Sequence, residues 1–188
     1  NLSLDYGWIR PYFTHYQSDQ TLVSGTGGKF LYDLRSDSLG TELRFDSQRL
    51  HSRFLVEGQR YASTRMKYNA IRFNQLLGVS IHPDLTLSLS ADQALTAFTN
   101  PDRNTLSALG TATLSYRPVP DMTSDLFVVF RLLNDNTNDD ERFWQVGLRL
   151  RWYYRKFEVA PGFEISQLRR GDGRTMDFRS GLRLIRRF

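Results

Sequence analysis

From Trp144 to Tyr154 the chain alternates residue by residue. Trp144, Val146, Leu148, Leu150, Trp152 and Tyr154 fall on one side, and Gln145, Gly147, Arg149, Arg151 and Tyr153 on the other. A period of two predicts a β-strand with one apolar and one charged face. A strand of a soluble sheet also alternates, but it hides its apolar face with aliphatics. Here aromatic side chains stand at both ends of the apolar row, as on a strand crossing a bilayer with an interface at each end. At roughly 3.3 Å per residue and a tilt of about 40°, the segment rises roughly 25 Å, the height of the apolar band of a membrane barrel.

The same rhythm fills the chain. Alternating runs are predicted at Leu2–Tyr16, Leu39–Ser47, Ser52–Ser63, Lys67–Ile81, Leu85–Phe98, Leu106–Arg117, Thr123–Leu133, Phe143–Tyr154, Phe157–Arg169 and Thr175–Phe188. Lys29–Asp46 reads either as two strands broken near Ser36-Asp37-Ser38 or as one long strand with a bulge at Leu39-Gly40. Tight separators at His82-Pro83-Asp84, Arg117-Pro118-Val119-Pro120-Asp121 and Arg155-Lys156 contrast with long polar ones at Gln17–Gly28 and Asn134–Arg142. Short turns on one rim and long loops on the other is the asymmetry of bacterial outer-membrane barrels, whose short turns face the periplasm. The expected fold is all-β, a closed antiparallel transmembrane β-barrel of about ten strands, with eight and twelve as the other even counts. Residues 1–188 are expected to form a single outer-membrane domain.

Composition narrows the reading. Lys and Arg number 25 against 20 Asp and Glu, a net charge of +5 and a pI near 9.7. In a soluble protein that balance would suggest nucleic acid or anionic lipid as a partner. Here most basic residues are arginines spread along polar strand faces, so no nucleic-acid partner is expected. With no cysteine, a disulfide framework, thiol catalysis and Cys-ligated metals are excluded. No apolar run reaches the roughly 18 residues of a transmembrane helix. The mean hydropathy of -0.46 is nevertheless compatible with a membrane barrel, because only alternate residues face lipid. The chain begins at Asn1, as after removal of a signal peptide or in a fragment of a longer protein.

The closing segment, Ser180-Gly-Leu-Arg-Leu-Ile-Arg-Arg-Phe188, resembles the terminal strand of bacterial outer-membrane β-barrel proteins. Such strands end in an aromatic with apolar residues at alternate positions before it. Leu182, Leu184 and Phe188 fit that pattern, and Arg186 departs from it. The resemblance implies that this strand is the signal read by the barrel-assembly machinery, that the protein resides in the bacterial outer membrane, and that outer-membrane lipid surrounds it. The end of the chain, Arg151-Trp-Tyr-Tyr-Arg-Lys-Phe-Glu-Val followed by Leu-Ile-Arg-Arg-Phe188, also looks like the ends of the porin-like sheaths of multihaem cytochrome conduits. That likeness implies a protein partner, periplasmic or surface, such as a cytochrome.

By parity the inner face of such a barrel would carry an interleaved charge set. It comprises Glu42, Arg44, Asp46, Arg53, Glu57, Arg72, Asp92, Arg117, Asp125, Arg131, Arg149, Arg151, Glu158, Glu164, Asp177, Arg179 and Arg183. Arg149 and Arg151 are expected beside Glu158 and Glu164, with Arg179 and Arg183 on the far side of the acids. The set is either a salt-bridged plug or an eyelet that selects anions. Barrels near eight strands are filled by their own side chains, so ten strands favour the plug. A twelve-strand pore would favour acidic sugars or other anions, as in the oligogalacturonate-specific porins. Trp8, Tyr116, Trp144, Trp152, Tyr154 and Phe157 read as an interfacial girdle rather than a sugar-stacking row.

Catalytic signals are sparse. His51 and His82 fall at expected turns without metal-ligand spacing, and no metal or cofactor is expected. His15 lies near the outer rim, within reach of Asp19, Asp33 and Asp37, and ten-stranded outer-membrane proteases use paired Asp and an Asp–His couple. Those barrels rise far above the membrane, and this chain is short for that. A lipid hydrolase would need Ser, His and an acid converging on the outward wall, which the sequence does not offer. Gly25-Thr-Gly-Gly28 lacks the Lys and helix of a phosphate cradle, and Gly171-Asp-Gly173 is a hairpin signal.

The leading expectation is a non-enzymatic integral outer-membrane barrel, a structural or partner-binding scaffold with a charge-plugged lumen. Its functional outer loops would be Gln17–Gly28, Thr99–Thr105, Asn134–Arg142 and Arg169–Arg174. The alternatives are a small anion-selective channel, an outer-rim hydrolase and a soluble ligand-binding barrel.

Overall fold

Alternation of apolar with polar residues, interrupted by Pro, Asn, Asp and Gly, produces strands and tight turns throughout the computed structural model. It describes all residues except 1, 4–7, 24–28, 65, 101, 156 and 187–188, with backbone alone at 2–3, 19–23, 29–32 and 100. The strands are β1 (Leu2–Ser3), β2 (Ile9–Val23), β3 (Lys29–Asp46), β4 (Leu50–Ser63), β5 (Lys67–His82), β6 (Leu85–Asn100), β7 (Asp102–Val119), β8 (Met122–Asp135), β9 (Glu141–Tyr154), β10 (Phe157–Arg170) and β11 (Gly173–Arg186). All belong to one antiparallel sheet in chain order, and no helix occurs among the described residues. The sheet is open: its order ends at β1 and β11, which do not pair.

Ten of these strands are long. β3 is one continuous strand, and its register with β2 and β4 runs unbroken through Leu39 and Gly40, so the expected bulge is absent. The first expected strand is instead divided, with the two-residue β1 lying on the free edge of β2 opposite Tyr12 and Phe13. The strands also run farther than alternation indicated. β2 extends to Val23, β6 and β7 are joined by residue 101 alone, β8 reaches Asp135, and β10 and β11 turn at Gly171-Asp172. Of the regions expected as loops, the described parts of Gln17–Gly28 and Thr99–Thr105 are strand, as is most of Arg169–Arg174, whereas Asn134–Arg142 keeps a connection at 136–140. Between the strand ends lie residues 24–28, 64–66, 101, 136–140 and 171–172 on one rim and 47–49, 83–84, 120–121 and 155–156 on the other, so the longest intervals share a rim. We call the rim bearing residues 47–49, Pro83-Asp84, Pro120-Asp121 and 155–156 the lower rim, and the other the upper rim.

Strict pairing gives every strand the same two faces. One carries Leu39, Leu43, Ile71, Leu89, Leu126, Val146, Leu148, Phe163, Leu182 and Leu184, all exposed. The other carries the charged set. Neither face is covered by a second layer, and among the described residues the only buried hydrophobics are Ala70 and Phe127. Phe127 is buried on the polar face because Gly147 stands opposite it on β9 and leaves room for its ring. Tyr12 lies against Gly40 in the same way between β2 and β3.

Candidate functional site

The polar face begins, at the β2–β5 end, with a carboxylate between two arginines. Arg44 and Arg53 stand directly opposite one another in the β3–β4 register, a like-charge pairing that is unfavourable by itself. Glu42 resolves it. Its Oε1 accepts from Arg44 Nε and from Arg53 Nε, each at 2.6 Å, and its side chain is only 7% exposed. Beside it the Tyr12 hydroxyl donates to Glu57 Oε2. Arg72 lies opposite Glu57 but forms no ion pair among the described residues. Asp46 bonds His51 Nδ1 at 2.9 Å at the lower rim.

The middle of the face is small and uncharged apart from Asp92. Ser90 and Thr111 share a hydroxyl bond of 2.6 Å, and Asn74 Nδ2 donates to Asp92 at 3.4 Å. Toward β8 the charges return. Arg151 Nη2 donates to Asp125 Oδ2 at 2.5 Å, and Ser115 Oγ donates to Oδ1 of the same carboxylate at 2.7 Å. The Arg149 guanidinium lies 4.4 Å from the centre of the Phe127 ring, a cation–π contact. The expected pairing of Arg149 and Arg151 with Glu158 and Glu164 is thus replaced on Arg151 by Asp125, on the opposite neighbouring strand. Strand stagger, which parity does not reveal, brings β8 rather than β10 into reach.

At β9–β11 the face is hollow. Arg149, Arg151, Glu158, Glu164, Arg179 and Arg183 surround a groove of ≈ 580 Å³ floored by Ala160, Gly162 and Gly181. Glu164 accepts from Gln145 Nε2 at 2.9 Å and has Arg179 Nη1 at 3.9 Å. Arg179 also donates to Asp177 at 2.9 Å. Arg183 makes no ion pair among the described residues. Arg117 does not join an acid but bonds the Pro120 carbonyl, closing the turn at 2.7 Å.

Two upper-rim pairs bring in Glu141, Arg103 and Asp135, which the charge set read from alternation does not contain. Arg131 bonds Glu141, and Arg103 bonds Asp135, whose side chain is 1% exposed. The Arg103 hydrogen bond, aided by donors from Asn138 and Thr137, holds the Asp135 carboxyl well below its ordinary range. Asp135 and Glu141 continue the parity of β8 and β9. Both were hidden because their segment is polar on both sides and reads as loop.

Aromatic residues cluster at the ends of the apolar face. Near the lower rim Tyr116, Trp152, Tyr154 and Phe157 are exposed on this face, with the Trp152 and Tyr154 rings 6.1 Å apart. Phe45 joins them from β3. Trp8, expected with them, is exposed but stands opposite Arg44, on the polar side by register. Trp144 lies eight residues up β9 from Trp152, next to Phe130 in register, with its indole N–H on Gln167 at 2.7 Å. Leu182 and Leu184 lie on the same face, and Phe188 is outside the described residues.

Each histidine has an aspartate. His15 Nδ1 meets Asp37 Oδ1 at 2.5 Å while Arg35 Nε takes Oδ2 at 3.0 Å. Asp33 stands opposite Asp19 rather than His15, and the Asp19 side chain is outside the described atoms. His82 lies 3.5 Å from Asp84. No cluster among the described residues is arranged to hold a metal ion. No protein-family model matches the chain, and no curated protein is significantly similar to it.

Proposed function

We propose that this chain is an integral outer-membrane β-barrel in which β11 closes against β2, serving as a structural or partner-binding scaffold. The observation that carries the reading is the apolar face. It runs unbroken over ten strands, is uncovered, and has aromatics at both ends, with Trp144 and Trp152 about 20 Å apart in height at the rise and tilt of membrane strands. Water would penalise such a face heavily, whereas lipid suits it. Ten strands put Ile9 and Arg186 at the same rim, as an even-stranded barrel requires. Closure replaces β1 by β11 along the edge at Tyr12 and Phe13. Leu182, Leu184 and Phe188 then act as the assembly signal, and the acid–base pairs fill a lumen scarcely wider than side chains.

One observation favours an anion-selective channel as the second reading. The groove at β9–β11 has a floor of small residues, and Arg149 and Arg183 there have no acid within ion-pair distance among the described residues. Planar-bilayer recording of the refolded chain separates the two. Inserted protein without conductance supports the plugged scaffold, and steady ohmic current with anion preference supports the channel. A chain that stays in solution without detergent, with no heat-modifiable gel migration, would overturn both.

A further inference from the structure

Arg142 on β9, Arg169 on β10 and Arg174 on β11 stand side by side in register: Arg142 faces Arg169, and Arg169 faces Arg174. All three are exposed and share the face of Trp144, Gln167, Met176 and Phe178, so they lie on the apolar side of the sheet, one outward position above Trp144. Like charges directly opposite across strands are destabilising. The Arg44–Arg53 pair of the polar face shows how this chain resolves such a conflict, with Glu42 bridging both guanidinium groups. The rim row has no equivalent. None of its arginines has a carboxylate within ion-pair distance among the described residues, and Arg169 reaches only the Gly171 carbonyl, at 3.5 Å. Arg142 and Arg169 instead line a hollow of ≈ 410 Å³ between the 136–140 connection and the Gly171-Asp172 turn. Asp140 and Asp172 line the same hollow and the Asp139 carboxylate lies against Gly171, yet none of these acids is within ion-pair distance of the arginine row.

We propose that this row binds the phosphomonoester headgroup of a membrane lipid, seated in the leaflet at the upper rim. The inference rests on the membrane reading above. An external anion completes what Glu42 does internally, and a phosphomonoester offers the charge and the several acceptor oxygens that adjacent guanidinium groups match. Its acyl chains would run down the apolar face past Trp144 and Phe178. Basic side chains at headgroup level are each favoured by anionic lipid, and an aromatic one position below marks that level.

The test uses the refolded protein in nanodiscs of phosphatidylcholine with or without phosphatidic acid, with heat-modifiable migration as the check on insertion and native mass spectrometry reading retained lipid. The expected result is selective retention of phosphatidic acid. Arg169→Gln with Arg174→Gln should weaken it on the order of tenfold or more, and Arg169→Lys with Arg174→Lys should keep most of it. The Gln variant should also be at least as heat-stable as the parent in lipid-free detergent, because like-charge contacts are relieved. Inserted Gln variant that retains as much phosphatidic acid as the parent would overturn the site. So would displacement of the lipid by millimolar inorganic phosphate, which would make it a site for free anions. Failure of the parent to insert would overturn the membrane reading first and this site with it.

Discussion

Gly147 stands opposite Phe127 across β8 and β9, and the ring fills the space that a side chain at Gly147 would need. A Cβ there would lie 2.6 Å from Phe127 Cε1 and 2.9 Å from the Phe163 carbonyl oxygen. The second contact is with backbone, so rotation of the ring alone cannot relieve it. Gly147→Ala should destabilise the fold by about 1–3 kcal/mol, the range for overpacking. Thermal unfolding in detergent micelles followed by circular dichroism checks this, and an unchanged midpoint would show that the two strands shift freely.

Glu42 separates two arginines that face each other, so its loss has two effects. Glu42→Gln removes the charge that both guanidinium groups share and leaves them in direct repulsion. Both arginines are about half exposed, so the loss should fall below that of a fully buried pair, at about 2 kcal/mol. Adding Arg53→Gln to the variant should recover part of the loss by removing the repulsion. A double-mutant cycle in urea reads the coupling.

Asp135 carries the pH dependence of the upper rim. Its carboxyl is held low in the fold by Arg103, so the contribution is full above the ordinary carboxylate value of about 3.9 and is lost as pH falls toward the lower folded value. Acid should therefore loosen the 136–140 connection below about pH 4, while neutral and alkaline pH leave it unchanged. Hydrogen-exchange protection at Thr137 and Asn138, corrected for the intrinsic rate at each pH, should fall on that limb. Asp135→Asn should show the reduced protection at every pH.

Arg151→Ser should leave Asp125, 12% exposed in its side chain, with Ser115 as its remaining donor. A loss of about 1–2 kcal/mol in stability is expected. Under the plugged reading, conductance should stay nil. Appearance of current would mean that the Arg151–Asp125 pair is what closes the interior.

Much of this architecture was legible because a period of two decides a side chain's face without any knowledge of the partner strand. That parity placed Glu42, Arg44, Arg53, Asp125, Arg149, Arg151, Glu164 and Arg179 on one face and Trp152, Leu148 and Leu184 on the other. Strand ends were less legible. Gln17 to Thr21 continue as strand where no apolar contrast remains, and polar residues on both faces look like loop. Pairing across strands was not legible either. Whether Arg151 meets Asp125 or Glu158 depends on a stagger that neither strand encodes alone.

The apolar face is proposed to lie in lipid, and two of the three tryptophans, Trp144 and Trp152, stand on it. Tryptophan fluorescence of the refolded chain in vesicles of phosphatidylcholine brominated at graded depths tests it most directly. Strong quenching by shallow bromines is expected for Trp144 and Trp152, read in single-tryptophan variants, with weaker quenching by bromines near the bilayer centre. Fluorescence indifferent to brominated lipid at every depth would contradict it.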